Sequence, residues 1–195
     1  MSGSRDSILS AIKANKPEEV ALPEIDFGVL MSFGNLTEQY CEILLKIGGQ
    51  FKLFNSLDEI KHTIEAEKNG ALVIDTLNLS EEDRHNLYSK TSKELEKLDR
   101  VYIKGTVGVA ENGAIWISEN ALPHRILPFI TQHLVLVLNV KDIVPTLHHA
   151  YEKISFEDLG YGAFIAGPSK TADIEQSLVI GAHGARSLMV YLVQE

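Results

Sequence analysis

Cysteine is almost absent from this chain. Cys41 is the only cysteine among the 195 residues. One thiol cannot form an intrachain disulfide, and iron–sulfur clusters and cysteine-rich zinc sites usually take four thiolates. The sequence therefore predicts that the chain carries no cofactor of its own. Because Cys41 lies among apolar residues at helical spacing, we interpret it as a core residue.

Positive charge and long apolar runs are also scarce. The 18 Lys and Arg residues face 27 Asp and Glu residues, which leaves a formal net charge of -9. Such a chain repels a phosphate backbone, so we do not expect a nucleic acid partner. No apolar run reaches the roughly 20 residues of a membrane-spanning helix, and residues 1–16 lack the continuous apolar core of a secretion signal. We expect a cytoplasmic protein without a membrane span.

The composition suits one globular core with an N-terminal extension. Hydrophobic residues make up 45% of the chain and charged residues 23%, enough apolar material for one domain of this length. Ser4 or Asp6 is expected to cap a helix that ends near Ala14, and Pro17 and Pro23 then imply an extended arm. We predict a helix and arm over residues 1–30 and one α/β domain over residues 31–195. The sequence is compatible with a monomer and with a homo-oligomer.

The apolar pattern up to residue 100 predicts alternating helices and strands. Ser56 and Glu59 have the spacing of a capping box at the start of the second domain helix. Two successive helix-to-strand alternations are typical of parallel strands joined by crossovers. The predicted helices are residues 35–47, a helix that begins at Ser56, and residues 80–98, and the predicted strands are residues 51–54 and 71–74.

The second half of the chain predicts more strands. Asn112-Gly113 between two apolar runs is typical of a tight hairpin turn. A helix over residues 140–154 is expected to be interrupted early by Pro145. The fold class is thus α/β, with a mostly parallel mixed sheet flanked by helices and an antiparallel element in its second half. The predicted strands are residues 101–104, 107–110, 114–118, 134–138, 163–166, 177–180 and 187–193.

The segment Gly167–Glu175 is the first candidate for a functional site. It follows an apolar strand, and ligands of open α/β sheets bind beyond the carboxyl ends of strands. The alternative is a simple helix start, with Ser169 or Thr171 as the N-cap and Asp173 in the first turn. As ligand-binding residues the segment offers Gly167, Pro168, Ser169, Thr171 and Glu175.

A turn around His183 is the second candidate. Gly181 and Gly184 flank this histidine and allow the backbone to approach a ligand closely. His183 is a candidate general acid or base, because an imidazole titrates near neutral pH, and a hydrogen-bonded structural residue is the alternative. The chain contains neither a P-loop nor a dinucleotide-binding fingerprint.

The predicted hairpin tip is the third candidate. Glu111 can act as a nucleophile or base if it is buried beside a substrate, and Asn112 and Gly113 are then neighbouring ligand contacts. The alternative interpretation is that Glu111 is an ordinary turn residue. Arg125 is expected to pair with an anionic ligand or with Glu111, because a buried unpaired guanidinium is costly. No histidine pair has the spacing of a zinc motif, so no metal site is predicted.

These segments together resemble the LUD-domain family of the LutC or YkgG type. Residues 167–175 and 181–184 resemble its C-terminal signature, and residues 110–117 and 127–135 resemble its upstream motifs. The resemblance extends over roughly residues 100–193. The sequence departs from the family pattern at Asn112, Ala114, Lys170 and Ala185.

The resemblance implies a fold like that of ribose-5-phosphate isomerase, glucosamine-phosphate deaminase and the CoA-transferases. It also implies a part in the oxidation of L-lactate to pyruvate, beside iron–sulfur partner proteins. In CoA-transferases a Glu-Asn-Gly turn carries the nucleophile, and Glu111–Gly113 reproduces that tripeptide. Two alternatives stay open. One is an independent isomerase or CoA-transferase-like enzyme that uses Glu111 with help from His183 or Asp173, and the other is a regulatory module that binds a small anion.

Overall fold

The computed structural model describes residues 3–18, 20–21, 23–68, 70–155, 160–172, 178–181 and 183–194. The chain divides into two units, Met1–Leu30 and Met31–Glu195. The first unit contains helix α1, Ser4–Ala14, and a short 3-10 turn, Phe27–Val29. Gly3 occupies the N-cap position of α1, so the expectation of a Ser4 or Asp6 cap is wrong, although the helix has the predicted span.

The second unit contains the remaining elements. Its helices are α2 Leu36–Lys46, α3 Leu57–Glu67, α4 Glu81–Tyr88, α5 Ser92–Leu95, α6 Leu127–Ile130 and α7 Leu147–Lys153. Its strands are β1 Gln50–Phe54, β2 Val73–Asp75, β3 Arg100–Lys104, β4 Val107–Val109, β5 Ile115–Ser118, β6 His133–Asn139, β7 Ile143–Val144, β8 Gly162–Ile165, β9 Lys170–Ala172, β10 Leu178–Ile180 and β11 Ser187–Val193.

Five parallel strands form the main sheet, in the order β1-β11-β6-β3-β2. The middle strand β6 is buried from Leu134 to Leu138, as expected for a strand covered on both faces. On one face, α2 contributes Tyr40 and Leu44 to a core that also includes the second sheet. On the other face, α3 buries Ile60 and Ile64. The prediction of a mostly parallel sheet flanked by helices is confirmed.

The predicted antiparallel element lies in a second, mixed sheet, in the order β7-β4-β5-β8, in which only β4 and β7 are parallel. The predicted Asn-Gly hairpin is present, because β4 and β5 pair antiparallel on either side of it. The chain leaves the main sheet at Gly105, whose N–H still donates to the carbonyl of Val137 at 2.8 Å. A methyl group at Gly105 would lie 2.4 Å from Ile115, so the two sheets approach each other closely here.

The helix starts show which local signals the sequence carries. The side chain of Asn35 accepts hydrogen bonds from the N–H groups of Thr37 and Glu38, which begins α2. Ser56 caps α3 by accepting the N–H of Glu59, but the Glu59 carboxylate returns to the N–H of Asn55 instead of Ser56. The cap is therefore confirmed and the reciprocal bond is displaced by one residue.

Two predicted helices are divided or shortened. The expected helix over residues 80–98 is two helices, α4 and α5, because Thr91 forms a capping box with Glu94 and starts a new helix. The expected helix over residues 140–154 begins only at Leu147. Its first part is a 3-10 turn capped by Asn139 and then strand β7, which pairs with β4. Pro145 follows β7 directly, where a proline cannot extend the ladder.

The expectation of a helix start near Ser169 is wrong for the residues that the structure describes. Lys170, Thr171 and Ala172 form β9, which pairs antiparallel with β10. The cap assigned to Ser169 or Thr171 is therefore replaced by a strand. Asp173 and Glu175 lie outside the described residues.

Candidate functional site

Three glycines with left-handed backbone conformations lie at the end of α2, and a fourth donates its N–H to Ser169 in the adjoining segment. Gly48, Gly113, Gly167 and Gly181 have φ values of 88°, 70°, 76° and 78°. We call these four residues the glycine cluster. A methyl group at Gly167 would lie 2.8 Å from the carbonyl oxygen of Ile47, and one at Gly113 would lie 2.9 Å from the Ile47 side chain. Glycine is required here both for the conformation and for the close approach.

The segment around Ser169 connects this cluster to the turn around His183. The N–H of Ser169 donates to the carbonyl of Ala185 at 2.9 Å, and its carbonyl accepts the N–H of Gly181 at 3.0 Å. A methyl group at Gly184 would lie 3.1 Å from the Cβ of Ser169. The structure thus brings together the two glycine-rich segments that the sequence singles out.

The glycine cluster lies at the amino end of the main sheet. Gly48 lies two residues before β1, and the turn after Gly181 leads into β11. The sequence predicted the carboxyl end, and that expectation is wrong because the strand before Gly167 is β8 of the second sheet. The rule for ligands of parallel sheets therefore does not apply to this segment.

The side chain of Lys170 in this segment is engaged within the protein. The ammonium group of Lys170 donates to the carbonyl of Ile47, one of the terminal carbonyls that a helix leaves without a helical partner. Pro168 is buried, Ser169 is half-buried and His183 is exposed. The ligand-binding roles predicted for Gly167, Pro168, Ser169, Thr171, Gly181 and Gly184 stay predictions, as does the catalytic role of His183.

Glu111 lies at the tip of the β4–β5 hairpin, and its carboxylate is bound to a helix end. Its Oε2 accepts the N–H of Leu147, the first residue of α7, at 2.9 Å. Its own N–H donates to the carbonyl of Pro145 at 3.0 Å. A carboxylate at a helix N-terminus is stabilised by the helix dipole. Beside it, Asn112 Oδ1 accepts the N–H of Ala114 at 3.0 Å, which holds the turn.

Arg125 has a different partner from the one expected. Its Nε donates to Glu119 Oε1 at 2.7 Å, and its guanidinium lies 5.6 Å from the centre of the Tyr161 ring. The predicted pairing with Glu111 is therefore wrong. The side chain of Arg125 is 58% exposed, so the cost of burial that motivated a partner at Glu111 does not arise.

The carboxyl ends of the parallel strands border a pocket of about 290 Å³. We call it the carboxyl-end pocket. Lys104, Asn139 and Val193 are the last residues of three adjacent strands, β3, β6 and β11, and all three line it. Lys61 of α3 and Asp142 add charge to the rim. This is the position at which ligands bind in open α/β sheets.

The two lysines of this pocket differ in their ion pairs with the described residues. Lys61 contacts Asp58 at 3.0 Å in an exposed ion pair. Lys104 is exposed and has no ion pair with any residue that the structure describes. Its ammonium group is therefore available to a negatively charged ligand, while the Asp142 carboxylate can accept a hydrogen bond.

No group of three or more histidine, cysteine, aspartate or glutamate side chains could hold a metal ion within the described part of the chain. No described helix is long and apolar enough to cross a membrane.

Comparison with known proteins identifies the family. The sequence model of the LUD domain matches residues 37–193, which is most of the chain and includes both sheets. The chain belongs to the LUD domain family.

Curated relatives are similar to this chain over shorter stretches. Lactate utilization protein C from Bacillus pumilus is 29% identical over 93 residues, 45% of this chain and 39% of that protein. Lactate utilization protein C from Anoxybacillus flavithermus is 33% identical over 79 residues, 40% of this chain and 36% of that protein. The chain thus spans about two fifths of the length of the curated relatives it matches.

A solved structure supports the LUD-domain fold. A DUF162 family protein from Deinococcus radiodurans superposes with a TM-score of 0.61 and 19% identity, over 81% of this chain and 96% of that one. At this identity the likeness shows the fold alone, and it agrees with the α/β architecture expected from the sequence.

Sequence reasoning missed the carboxyl-end pocket of this LUD domain. Lys104 and Asn139 stand alone at the ends of two apolar strands, and Lys61 belongs to a charged helix face. None of them is part of a motif. The strand ends themselves were the available signal, because the order of parallel strands brings their last residues together.

Proposed function

We propose that this LUD-domain chain is a component of L-lactate utilisation that binds a small organic acid in the carboxyl-end pocket. We further propose that it has no redox centre and works beside iron–sulfur proteins. The observation that carries the proposal is Lys104, which has no ion pair among the described residues and lies in a pocket at the ends of three parallel strands. The names of two relatives, both lactate utilization protein C, support the metabolic assignment.

The size and charge of the pocket suit a small monocarboxylate. Its volume of about 290 Å³ lies at the lower limit of ligand pockets, which run from about 300 to 1,000 Å³. Lys104 and Lys61 supply positive charge and N–H donors for carboxylate and keto oxygens, and Asp142 supplies an acceptor for a hydroxyl group. A lactate or pyruvate ion matches these groups in both size and charge.

The proposed division of labour follows from the electron balance. Oxidation of lactate to pyruvate releases two electrons and two protons, which an acceptor must take up. Cys41 is half-buried against the core, and burial raises the pKa of its thiol, so it is a poor thiolate ligand. Partner proteins with iron–sulfur clusters are therefore assigned the electron transfer.

Calorimetric titration tests the binding part of the proposal. Wild-type protein is expected to bind L-lactate or pyruvate, and Lys104→Ala is expected to lower the affinity about tenfold or more, because a charge-assisted hydrogen bond contributes roughly 1.5 to 3 kcal/mol. Lys46→Ala is the matched control. Lys46 is an exposed lysine that pairs with Glu42 and does not line the carboxyl-end pocket. Unchanged affinity in Lys104→Ala, or no binding by wild type, would overturn this site.

Purification from cells grown on L-lactate tests the partner assignment. The tagged full-length protein is expected to retain iron–sulfur proteins, detected by mass spectrometry and by the iron content of the complex. Deletion of the gene is expected to slow growth on L-lactate but not on glucose. Normal growth on L-lactate, with no iron-containing partner recovered, would refute the metabolic assignment without bearing on ligand binding.

A further inference from the structure

A second pocket lies at the opposite, amino end of the main sheet and has a volume of about 210 Å³. We call it the amino-end pocket. Arg100, His133 and Ser187, the first residues of β3, β6 and β11, are aligned side by side across the three strands. They share the face covered by α3, because side chains two residues apart on a strand point the same way and Tyr102 belongs to that core. Glu67, the last residue of α3, closes the row.

Glu67 is the centre of a charged network in this pocket. Tyr102 donates its hydroxyl to one carboxylate oxygen, and Tyr191 donates to the other at 3.1 Å. Arg100 contacts the carboxylate at 2.5 Å and Lys52 at 3.5 Å. Burial alone would raise the pKa of the Glu67 carboxyl, but the two tyrosine hydroxyls and the two cations outweigh it and hold the pKa below its ordinary value. Glu67 is therefore charged at neutral pH.

The charges of the amino-end pocket do not cancel. Two cations, Lys52 and Arg100, face one carboxylate, so the pocket carries a surplus of one positive charge in a chain whose net charge is -9. A guanidinium has five N–H donors. One of them, on a terminal nitrogen of Arg100, donates to the Glu67 carboxylate. Arg100 also interacts with the hydroxyl of Tyr102, and the donors outside these two contacts, together with the half-exposed ammonium of Lys52, are left for a further acceptor.

His133 and Ser187 add a polar wall to the pocket. Nδ1 of His133 lies 2.8 Å from Oγ of Ser187, which fixes the position of the ring and leaves Nε2 outside this contact. A row of polar residues at the start of three adjacent strands is not needed to cover a parallel sheet, which is usually covered by apolar side chains. Its members instead converge on the same cavity.

We propose that the amino-end pocket is a binding site for a small carboxylate anion, held by Arg100 and Lys52 and bordered by the His133–Ser187 pair. One negative charge matches the surplus of one positive charge. The volume equals that of about seven water molecules at roughly 30 Å³ each, which admits an anion of a few heavy atoms and excludes a nucleotide. This proposal does not rest on the function proposed for the carboxyl-end pocket.

Titration of the ¹⁵N-labelled full chain with sodium acetate, at constant ionic strength adjusted with sodium chloride, tests this site. Saturable shifts are expected at the amides of Arg100 and Ser187. Arg100→Gln is expected to weaken acetate binding about tenfold or more, because the principal charged donor is removed. Glu67→Gln is expected to strengthen it by a similar factor, because the competing carboxylate is neutralised. A purely structural network predicts that neither variant changes the response to acetate.

The controls keep the two pockets distinguishable. Lys104→Ala is expected to leave the acetate response at Ser187 unchanged, and Arg100→Gln is expected to leave binding at the carboxyl-end pocket unchanged. If Arg100→Gln does not fold, Ser187→Ala and Lys52→Met are used instead, and each is expected to weaken acetate binding. Wild-type amides that do not respond to acetate, or equal affinity in Glu67→Gln and wild type, would overturn the proposal.

Discussion

The two ends of the parallel sheet use similar residue types for different purposes. At the amino end, the backbone of Gly167 lies against the end of α2, and Lys170 is bound to the carbonyl of Ile47. At the carboxyl end, Lys104 stands in an open pocket without an ion pair among the described residues. A conspicuous motif can therefore form close backbone contacts, while single residues at the ends of strands line the pockets that we propose as ligand sites.

The largest expected effect concerns the close packing of the glycine cluster. Gly167→Ala is expected to lower the free energy of unfolding by about 3 kcal/mol or more, because it adds left-handed strain and a contact with the Ile47 carbonyl. Gly70→Ala is the matched control. Gly70 has the same φ of 76°, but a methyl group there would meet nothing within 4 Å. Its expected cost is about 1 kcal/mol.

Urea unfolding of both variants measures this difference. A gap of about 2 kcal/mol between them would support a junction at Gly167. Equal destabilisation would show that the segment has room to move, and the contrast between the two ends of the sheet would then be wrong.

An intermediate effect is expected at Glu67. Glu67→Gln is expected to cost about 2 kcal/mol at pH 7, because two hydroxyl donors and two cations lose a charged partner. Its folded pKa is lowered, so the stabilisation is present above the unfolded value of about 4.3 and is lost as the pH falls through the lower folded value. The difference between wild type and variant should therefore shrink below about pH 4.

Urea unfolding between pH 7 and pH 3.5 measures this dependence. Glu65→Gln on the same helix is the control, since Glu65 pairs with Lys68 at an exposed position and such pairs contribute about 0.5 kcal/mol. A difference that stays constant with pH would show that Glu67 contributes through packing and not through its charge.

The smallest expected effect concerns Glu111. Glu111→Ala is expected to cost about 1 kcal/mol, the usual contribution of a side-chain cap at a helix N-terminus. Incubation of wild-type protein with acetyl-CoA is expected to give no covalent adduct by mass spectrometry, because the carboxylate is bound at the start of α7. An acetyl-CoA-derived adduct on Glu111 would instead establish the nucleophile of a CoA-transferase-like enzyme.

The local signals of the sequence predicted most of the fold. Ser56 and the Asn112-Gly113 pair were predicted at the correct positions, because caps and turns depend on neighbouring residues. The apolar run that forms β6 likewise predicted the buried central strand. Periodicity alone, however, did not show where Thr91 divides one helix into two.

The site was less predictable because its contacts are distant in sequence. Glu111 caps a helix that begins 36 residues later, and Lys170 binds a carbonyl 123 residues earlier. Gly167 follows β8, and β8 belongs to the second sheet and not to the main sheet. The position of Gly167 at the main sheet therefore could not be inferred from the strand that precedes it. The sequence could name Gly167, but it could not place that residue relative to the parallel strands.

The most direct test of the account is a titration of the ¹⁵N-labelled full chain with pyruvate, followed in ¹H–¹⁵N correlation spectra. The account predicts shifts at Lys104, Gly105, Asn139 and Asp142, which line the carboxyl-end pocket, and their loss in Lys104→Ala. Shifts concentrated at Gly167 and Ser169, with the residues around Lys104 unchanged, would contradict it and place the ligand at the glycine cluster.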